Sequence, residues 1–569
     1  MKRAKAVLAL ACLAMVCSGC GRGEPAEPDR VFDPPTREFL DGINADTLGK
    51  LVVQYRGRLA PLATVASEQI SQICGRQRLE GIDPPPAYLE IYLNAGRYAD
   101  RPMIHVRSRN MRAFIRKHLS GRWLETFDRT NRLAPASLWN DNARHALVQA
   151  GRASPDDMTR CLVVPSLRSA WSQLAGRREF DLLLARLDVR YGAFLGTGVL
   201  RIIPGEAGYW HAADELLSEA TPADTHEERR LLVDLRDAWL LRDVAKANEL
   251  IATIADLSKD LPDRPSQTAV SLELLYNRAY KGHLVWIGFA IATVVLIVAV
   301  ASGLPWVRRV GMGVMILSTL GLLAGFVMRW IISARPWYLP PMMSQYEALL
   351  ASALMGAILI VVIELFWPRN YPAVAACFYA AVVLLSLQFS SILFPGALDS
   401  SLRAMKGILS SRIMAVHVAV IVIGHALAGM TLVTSAIYLG ILTVRGIEGP
   451  GAVSSRPDLT GGVPATVAAT VDRCNLVIAQ LACWMIVMGT ILGAVWGSFA
   501  WGRWWGWDPK ETWSLVTALF YLVVIHVRFC TPARYRGLVT AIGCLVGCGA
   551  MLFNWFGVNY ILRGLHSYA

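Results

Sequence analysis

Polar and apolar residues are unevenly distributed along the chain. Over 21–282 they are mixed, with helical spacing in stretches such as ERRLLVDLRDAWLLRDVAKANELIATIADL, and proline-rich segments such as DPPTREF and GIDPPPAYLE punctuate them. Apolar residues three and four apart line one face of a helix, so this part predicts a mostly helical soluble domain. From His283 onward long apolar runs take over, at about 283–303, 310–334, 344–367, 372–392, 411–443, 474–499, 512–530 and 537–562. Each is long enough to cross lipid, and in hydrocarbon only a helix satisfies its own backbone over that length. The expected fold is an all-α integral membrane helical bundle of about eight transmembrane helices, with an N-terminal, mostly helical exported soluble domain.

The first twenty residues, MKRAKAVLALACLAMVCSGC, have a basic start, a short apolar stretch and small residues ahead of Cys20, as a secretory signal does. Small residues before a cysteine also resemble a lipoprotein cleavage site, although Cys17 stands where Leu or Val is usual. Lipidation of Cys20 and an uncleaved anchor are the two readings. If the signal exports the first domain, each span then alternates sides. The loop with Arg308 and Arg309, the turn with Arg369, the linker 445–473 and the cluster Arg528, Arg534 and Arg536 all fall inside, in agreement with the positive-inside rule. The loop after the sixth span, the segment 393–411 and the C-terminal tail then face the outer side of a bacterial cytoplasmic (inner) membrane.

Composition adds exclusions. With 54% hydrophobic and 17% charged residues the chain is too apolar for an ordinary soluble protein. The net charge of +13 is scattered, without the basic runs and stacking aromatics of a nucleic-acid binder. Eleven cysteines include no C-x-x-C-H, so the chain is not itself a c-type cytochrome. Cys74 and Cys161 could pair in an oxidising compartment. Cys544 and Cys548 share a helix face, where close packing is expected.

One loop stands apart. WGRWWGWDPKETW, residues 501–513, belongs to a group in which Trp496, Trp501, Trp504, Trp505, Trp507 and Trp513 make up a third of the eighteen tryptophans. An interfacial aromatic belt accounts for some of them. A helix start, with Asp508 as cap, Pro509 in the first turn and Glu511 closing a capping box, accounts for the charged residues. Neither explains the density. So many flat faces suit a large flat ligand, and porphyrin is the candidate; its iron would need imidazole ligands.

His417, roughly 10 Å below the outer surface, and His566, just past the last span, lie on the side of this loop. Arg503 or Lys510 could meet a haem propionate, the competing reading being an exposed, solvated base. His526 lies fourteen residues into its span, towards the inner leaflet. His425, about 12 Å deeper than His417, is a candidate second ligand there; the competing reading is a helix-packing hydrogen bond.

The loop resembles, position by position, the WG-x-x-W-x-WD-P-K-E-x-W signature of the haem-handling membrane proteins of cytochrome c assembly. The ending FNWFGVNYILRGLHSYA is similar to that of the CcsA (ResC) branch, of the system II type. GRLAPLATVASEQI and ELLYNRAYKGH resemble segments ahead of the spans in long members. The resemblance implies a synthase that receives haem b and holds it at the outer tryptophan site, where the two cysteines of an apocytochrome c C-x-x-C-H segment add to its vinyl groups. It matches His417 and His566 to two external axial ligands and His526 to a membrane histidine near the inner side. Trp501, Trp504, Trp505, Trp507, Trp513 and Asp508 match the haem-cradling signature. The family works with a ResB-type partner that supplies a further membrane histidine; no set of spans precedes His283 here, so either a separate ResB-like protein is expected or that ligand comes from elsewhere, and thiol-reducing proteins are further candidate partners. A haem carrier that passes its cargo to another synthase is the alternative function, and a structural membrane protein with an interfacial belt is the third.

Overall fold

The computed structural model describes residues 30–134, 137, 201–204, 210–212, 226–257, 259, 264–280, 284–389, 398, 400–402, 407–445 and 465–562, apart from isolated positions. The signal segment with Cys20, and Cys161, His283 and His566, lie outside them. The chain divides into two compact units, Met1–Arg264 and Pro265–Ala569.

In the first unit, helices α1 (Pro34–Gly42), α2 (Ala45–Lys50), α3 (Leu62–Cys74), α4 (Pro84–Leu93), α5 (Arg109–Arg116), α6 (Gly121–Thr130), α7 (His226–Leu240) and α8 (Val244–Leu257) accompany six short strands. The prolines that punctuate the sequence start helices here: Pro34 follows the cap Asp33, whose side chain accepts from the Thr36 N–H, and Pro84 opens α4. Strands β1 (Val52–Tyr55), β2 (Arg58–Pro61), β5 (Arg201–Pro204) and β6 (Trp210–Ala212) pair antiparallel in the order β2-β1-β5-β6, and β3 (Ile104–His105) pairs with β4 (Arg132–Leu133). Runs of two to four residues are too short to show a strand period in sequence. Cys74 is buried.

Glu90, fully buried on α4, ties this unit together. It accepts hydrogen bonds from the Tyr98 hydroxyl, from Trp239 Nε1 at 2.6 Å and from two Arg242 nitrogens at 2.7 and 3.0 Å, and Arg242 also donates to Thr36 Oγ1 at 2.9 Å. Burial pushes the Glu90 carboxyl up, but the bonds from Arg242, Tyr98 and Trp239 hold it below the usual carboxylate range.

The second unit begins with α9 (Gln267–Leu275), capped by Ser266 and continued by a π-helical turn Tyr276–Tyr280. Then come α10 (Val285–Ser302), α11 (Pro305–Ile332), α12 (Gln345–Phe366), α13 (Tyr371–Gln388), α14 (Arg412–Arg445), α15 (Ala465–Trp501), α16 (Pro509–Cys530) and α17 (Arg536–Leu552). A π-helical turn Phe553–Gly557 and α18 (Val558–Ile561) follow. Among the described residues eight helices are long and apolar enough to cross a membrane. Their outward faces carry large exposed aliphatic residues, while Phe289, Ala353, Leu384, Met430 and Ile486 are among those filling the shared interior.

The consecutive spans sort the polar groups to two ends. At one end Arg308 bonds Asn370 at 2.6 Å and Glu364 at 3.2 Å, and Arg528 pairs with Asp472. At the other, Arg329 and Arg335 share Glu347, whose carboxylate also closes the capping box of α12. This second end also holds the connection between α15 and α16.

Candidate functional site

The connection 502–508 is built by the helices it joins. Gly502, at φ +69°, takes the chain out of α15. Asp508 caps α16 and Glu511 closes the capping box, as the sequence predicts, and one Glu511 oxygen also accepts from the Gly506 N–H at 2.8 Å. Between these ties Trp507 is held at φ +57°, a conformation that costs a bulky residue ~1–3 kcal/mol.

The tryptophans sort by depth. Trp496 is buried and meets Trp501 edge-on at 4.9 Å; Trp513 lies against Phe553 at 4.3 Å. Trp501, Trp505 and Trp513 are half-buried, whereas Trp504 and Trp507 are 62% and 70% exposed. Trp507 meets Trp505 edge-on at 5.8 Å, and the loop leaves most of the Trp504 and Trp507 rings uncovered.

His417 lies five residues into α14, about 8 Å along the axis. Its Nδ1 lies 2.7 Å from the carbonyl oxygen of Gly489 on α15. An Nδ1–H donated there makes Nε2 the nitrogen that carries the lone pair, the tautomer an iron ligand needs. The seat depends on glycine: a Cβ at Gly493 would stand 2.8 Å from His417 Cε1. These features fit an axial imidazole.

The other histidines have different surroundings. His425 is 5% exposed, lies tilted against Trp555 at 4.8 Å, and its buried Nε2 has no hydrogen-bond partner. His526, four residues from the far end of α16, is exposed on the outer face of that helix, with Nδ1 2.8 Å from Leu522 O and Phe529 as its ring neighbour. Among the described residues the ring partner of His425 is Trp555 and that of His526 is Phe529. His566 lies outside the described residues.

The two bases of the loop separate as well. Arg503 is exposed, with its guanidinium where a Cβ on Gly506 would sit. Lys510 turns inward and donates to Asn554 O at 3.1 Å and Asn559 Oδ1 at 2.9 Å; Asn559 in turn donates to Gln345 at 3.2 Å. Sequence reasoning missed Gly489, Gly493, Asn554 and Asn559. An asparagine pair within an apolar run is the one signal that could have found the last two.

A bundle of eight membrane-length helices with an aromatic, strained and capped connection at one end is that of a multi-pass membrane protein. Comparison with known proteins gives that class a family. The profile described as "Cytochrome C assembly protein" matches residues 342–566. Cytochrome c biogenesis protein CcsA of Prochlorococcus marinus is 31% identical over 260 residues, covering 42% of this chain and 78% of that protein. Protein NrfI of Wolinella succinogenes is 26% identical over 546 residues, covering 92% of this chain. The chain spans about half (54%) of the length of that relative. The chain belongs to the CcsA-type family of multi-pass membrane proteins of cytochrome c biogenesis.

Proposed function

We propose that the chain binds haem b at the tryptophan loop, with His417 and His566 as axial ligands, and promotes its covalent attachment to the C-x-x-C-H segment of apocytochrome c. The observation that carries this reading is the seat of His417, an imidazole oriented by a backbone carbonyl and by a glycine, at the end of the bundle that carries the loop. The tryptophans and Asp508 form the cradle. In each attachment step a cysteine S–H adds across a vinyl double bond: a C–S bond forms, the proton goes to the neighbouring vinyl carbon, and nothing leaves. Such an addition needs alignment more than a nucleophile supplied by the protein, and holding both partners in place lowers much of its barrier.

The proposal places the loop, the soluble domain and the C-terminus on the outer side of the bacterial cytoplasmic membrane. His526 serves a second haem position near the inner side, its partner ligand supplied by a ResB-like protein. An imidazole on the lipid-facing side of α16 suits a ligand shared with another membrane protein.

The test is co-expression with a ResB-like partner in a host lacking its own assembly system. Cytochrome that keeps its haem stain through denaturing electrophoresis is expected. The His417→Gly, His566→Gly double variant should abolish that stain and most haem absorbance of the purified protein, with exogenous imidazole restoring part of the absorbance. Haem that is bound and exported but never attached would establish the carrier function instead, and unchanged haem in the double variant would refute the ligand assignment.

A further inference from the structure

Beneath the tryptophan loop three polar groups lack partners they should have. Lys510 has three ammonium donors, and its two hydrogen bonds go to neutral oxygens, Asn554 O and Asn559 Oδ1. Asn554, 1% exposed, bonds Ser514 through Nδ2 while its Oδ1 is buried without a partner. His425 Nε2 is buried without one too. The three are joined through the π-helical turn: Lys510 holds the Asn554 carbonyl, and the next residue, Trp555, lies tilted against the His425 ring. Such turns are rare and gather at functional sites.

Unmade bonds of this kind cost free energy, and three at one place in a bundle interior call for a cause. The cation sets the chemistry. Asp508, the carboxylate next to it in the chain, caps α16 and offsets part of the Lys510 charge from there, and Glu347 is held by Arg329 and Arg335. An ammonium sunk here whose hydrogen bonds go to neutral oxygens favours an arriving anion. The residues on either side of Asn554 are aromatic, Phe553 packing against Trp513 and Trp555 against His425, so the anion would belong to a flat apolar molecule.

We propose that Lys510, with His425 and Asn554, forms the subsite for one propionate carboxylate of the haem, an assignment that rests on the haem reading above. The third Lys510 N–H and an N–H of His425 donate to the carboxylate. The unpartnered end of the Asn554 side chain faces the same group, where the amide orientation that presents its NH2 group would add a third donor. His425 is thereby a carboxylate partner rather than an iron ligand, and the exposed Arg503 is not needed.

The experiment is a titration of the full-length, haem-depleted protein in detergent with haem b and with its dimethyl ester, which keeps iron and ring but has no carboxylates. Absorbance gives the affinity for each. The wild type should bind haem b roughly 10- to 100-fold more tightly than the ester, the range expected for a charge-assisted hydrogen bond. Lys510→Gln should lose that preference by weakening haem b alone, and Lys510→Arg should keep most of it. His425→Phe should reduce the preference without changing the iron spectrum of the bound haem. Equal affinity of the wild type for both forms would overturn the subsite and leave the haem site standing. Equal weakening of both forms in Lys510→Gln would reduce Lys510 to a structural tie and overturn it as well. Failure of the wild type to bind either form would overturn the haem site, and the subsite with it.

Discussion

Replacing Gly493 by alanine tests the His417 seat with a single methyl group. That methyl would lie 2.8 Å from Cε1 and 3.1 Å from Nδ1 of the imidazole. Carbon atoms pack at roughly 3.5–4.0 Å, so the ring must retreat by roughly 0.7–1.2 Å. A retreat of that size away from α15 takes the Nδ1···Gly489 contact from 2.7 Å to about 3.5 Å or beyond, where no hydrogen bond remains. The protein loses ~0.5–1.5 kcal/mol for the bond and ~1–3 kcal/mol for overpacking. The imidazole loses both its position and the group that fixes its tautomer, and if it ligates iron as proposed, loss of such a supporting partner should weaken metal binding by roughly 10- to 100-fold.

The assay is haem content and affinity of purified Gly493→Ala, with exogenous imidazole added to replace the displaced ligand. Reduced haem that imidazole partly restores is expected. Gly424→Ala is the control, since its methyl would meet Ile486 across the same helix pair with similar overlap, 2.9 Å from Cγ1. It should lose stability but keep its haem. A folded Gly493→Ala protein with wild-type haem affinity and no response to imidazole would refute the argument that this seat holds an iron ligand.

Two further outcomes are expected. Asp508→Ala removes the α16 cap, at a cost of ~0.5–2 kcal/mol, and should raise protease cleavage within 502–508 while leaving the α10–α15 part of the bundle protected; cleavage at the wild-type rate would show that the loop does not depend on its cap. Glu90 sits below its usual titration range in the folded first unit, so its stabilising effect is complete above the unfolded carboxylate pKa and fades as pH falls through the lower folded value. Acidification from pH ~5 to ~3 should therefore unfold the first unit of the full-length wild type, and Glu90→Gln, which leaves Arg242 uncompensated, should lower stability by ~3 kcal/mol already at neutral pH. Equal thermal unfolding of variant and wild type at pH 7 would contradict that role.

The spans were legible because lipid imposes one length and one composition on each of them. Their ends were less so. The helix α15 begins at Ala465, within what reads as a polar linker, because Asp472 is neutralised by Arg528 across the bundle. The start of α16 was legible, since its cap, proline and capping-box acid lie within four residues. The seat of His417 was not. Gly489 is 72 residues away in the chain, and a glycine in an apolar run looks the same whether it faces a ring or lipid. The inward turn of Lys510 depends likewise on Asn554 and Asn559, more than forty residues downstream. Contacts between distant residues leave no local period to read.

The order of residues in WGRWWGWDPKETW follows from these ties. A loop of large rings between two membrane helices would gain most by folding its rings inward against the bundle, which would leave nothing to offer a ligand. Here Glu511 holds the Gly506 and Asp508 N–H groups together, and Asp508 holds the N–H at the head of α16. The strained φ of Trp507 lies between these two anchors, so the free energy of starting a helix keeps an exposed ring in place. Lys510, one residue into the same helix turn, is tied instead to Asn554 and Asn559, beyond α17. The acids fix the aromatic rings, and the base is fixed apart from them. In the haem site proposed above, these thirteen residues would offer rings to the apolar faces of the disc and a base to its anionic rim.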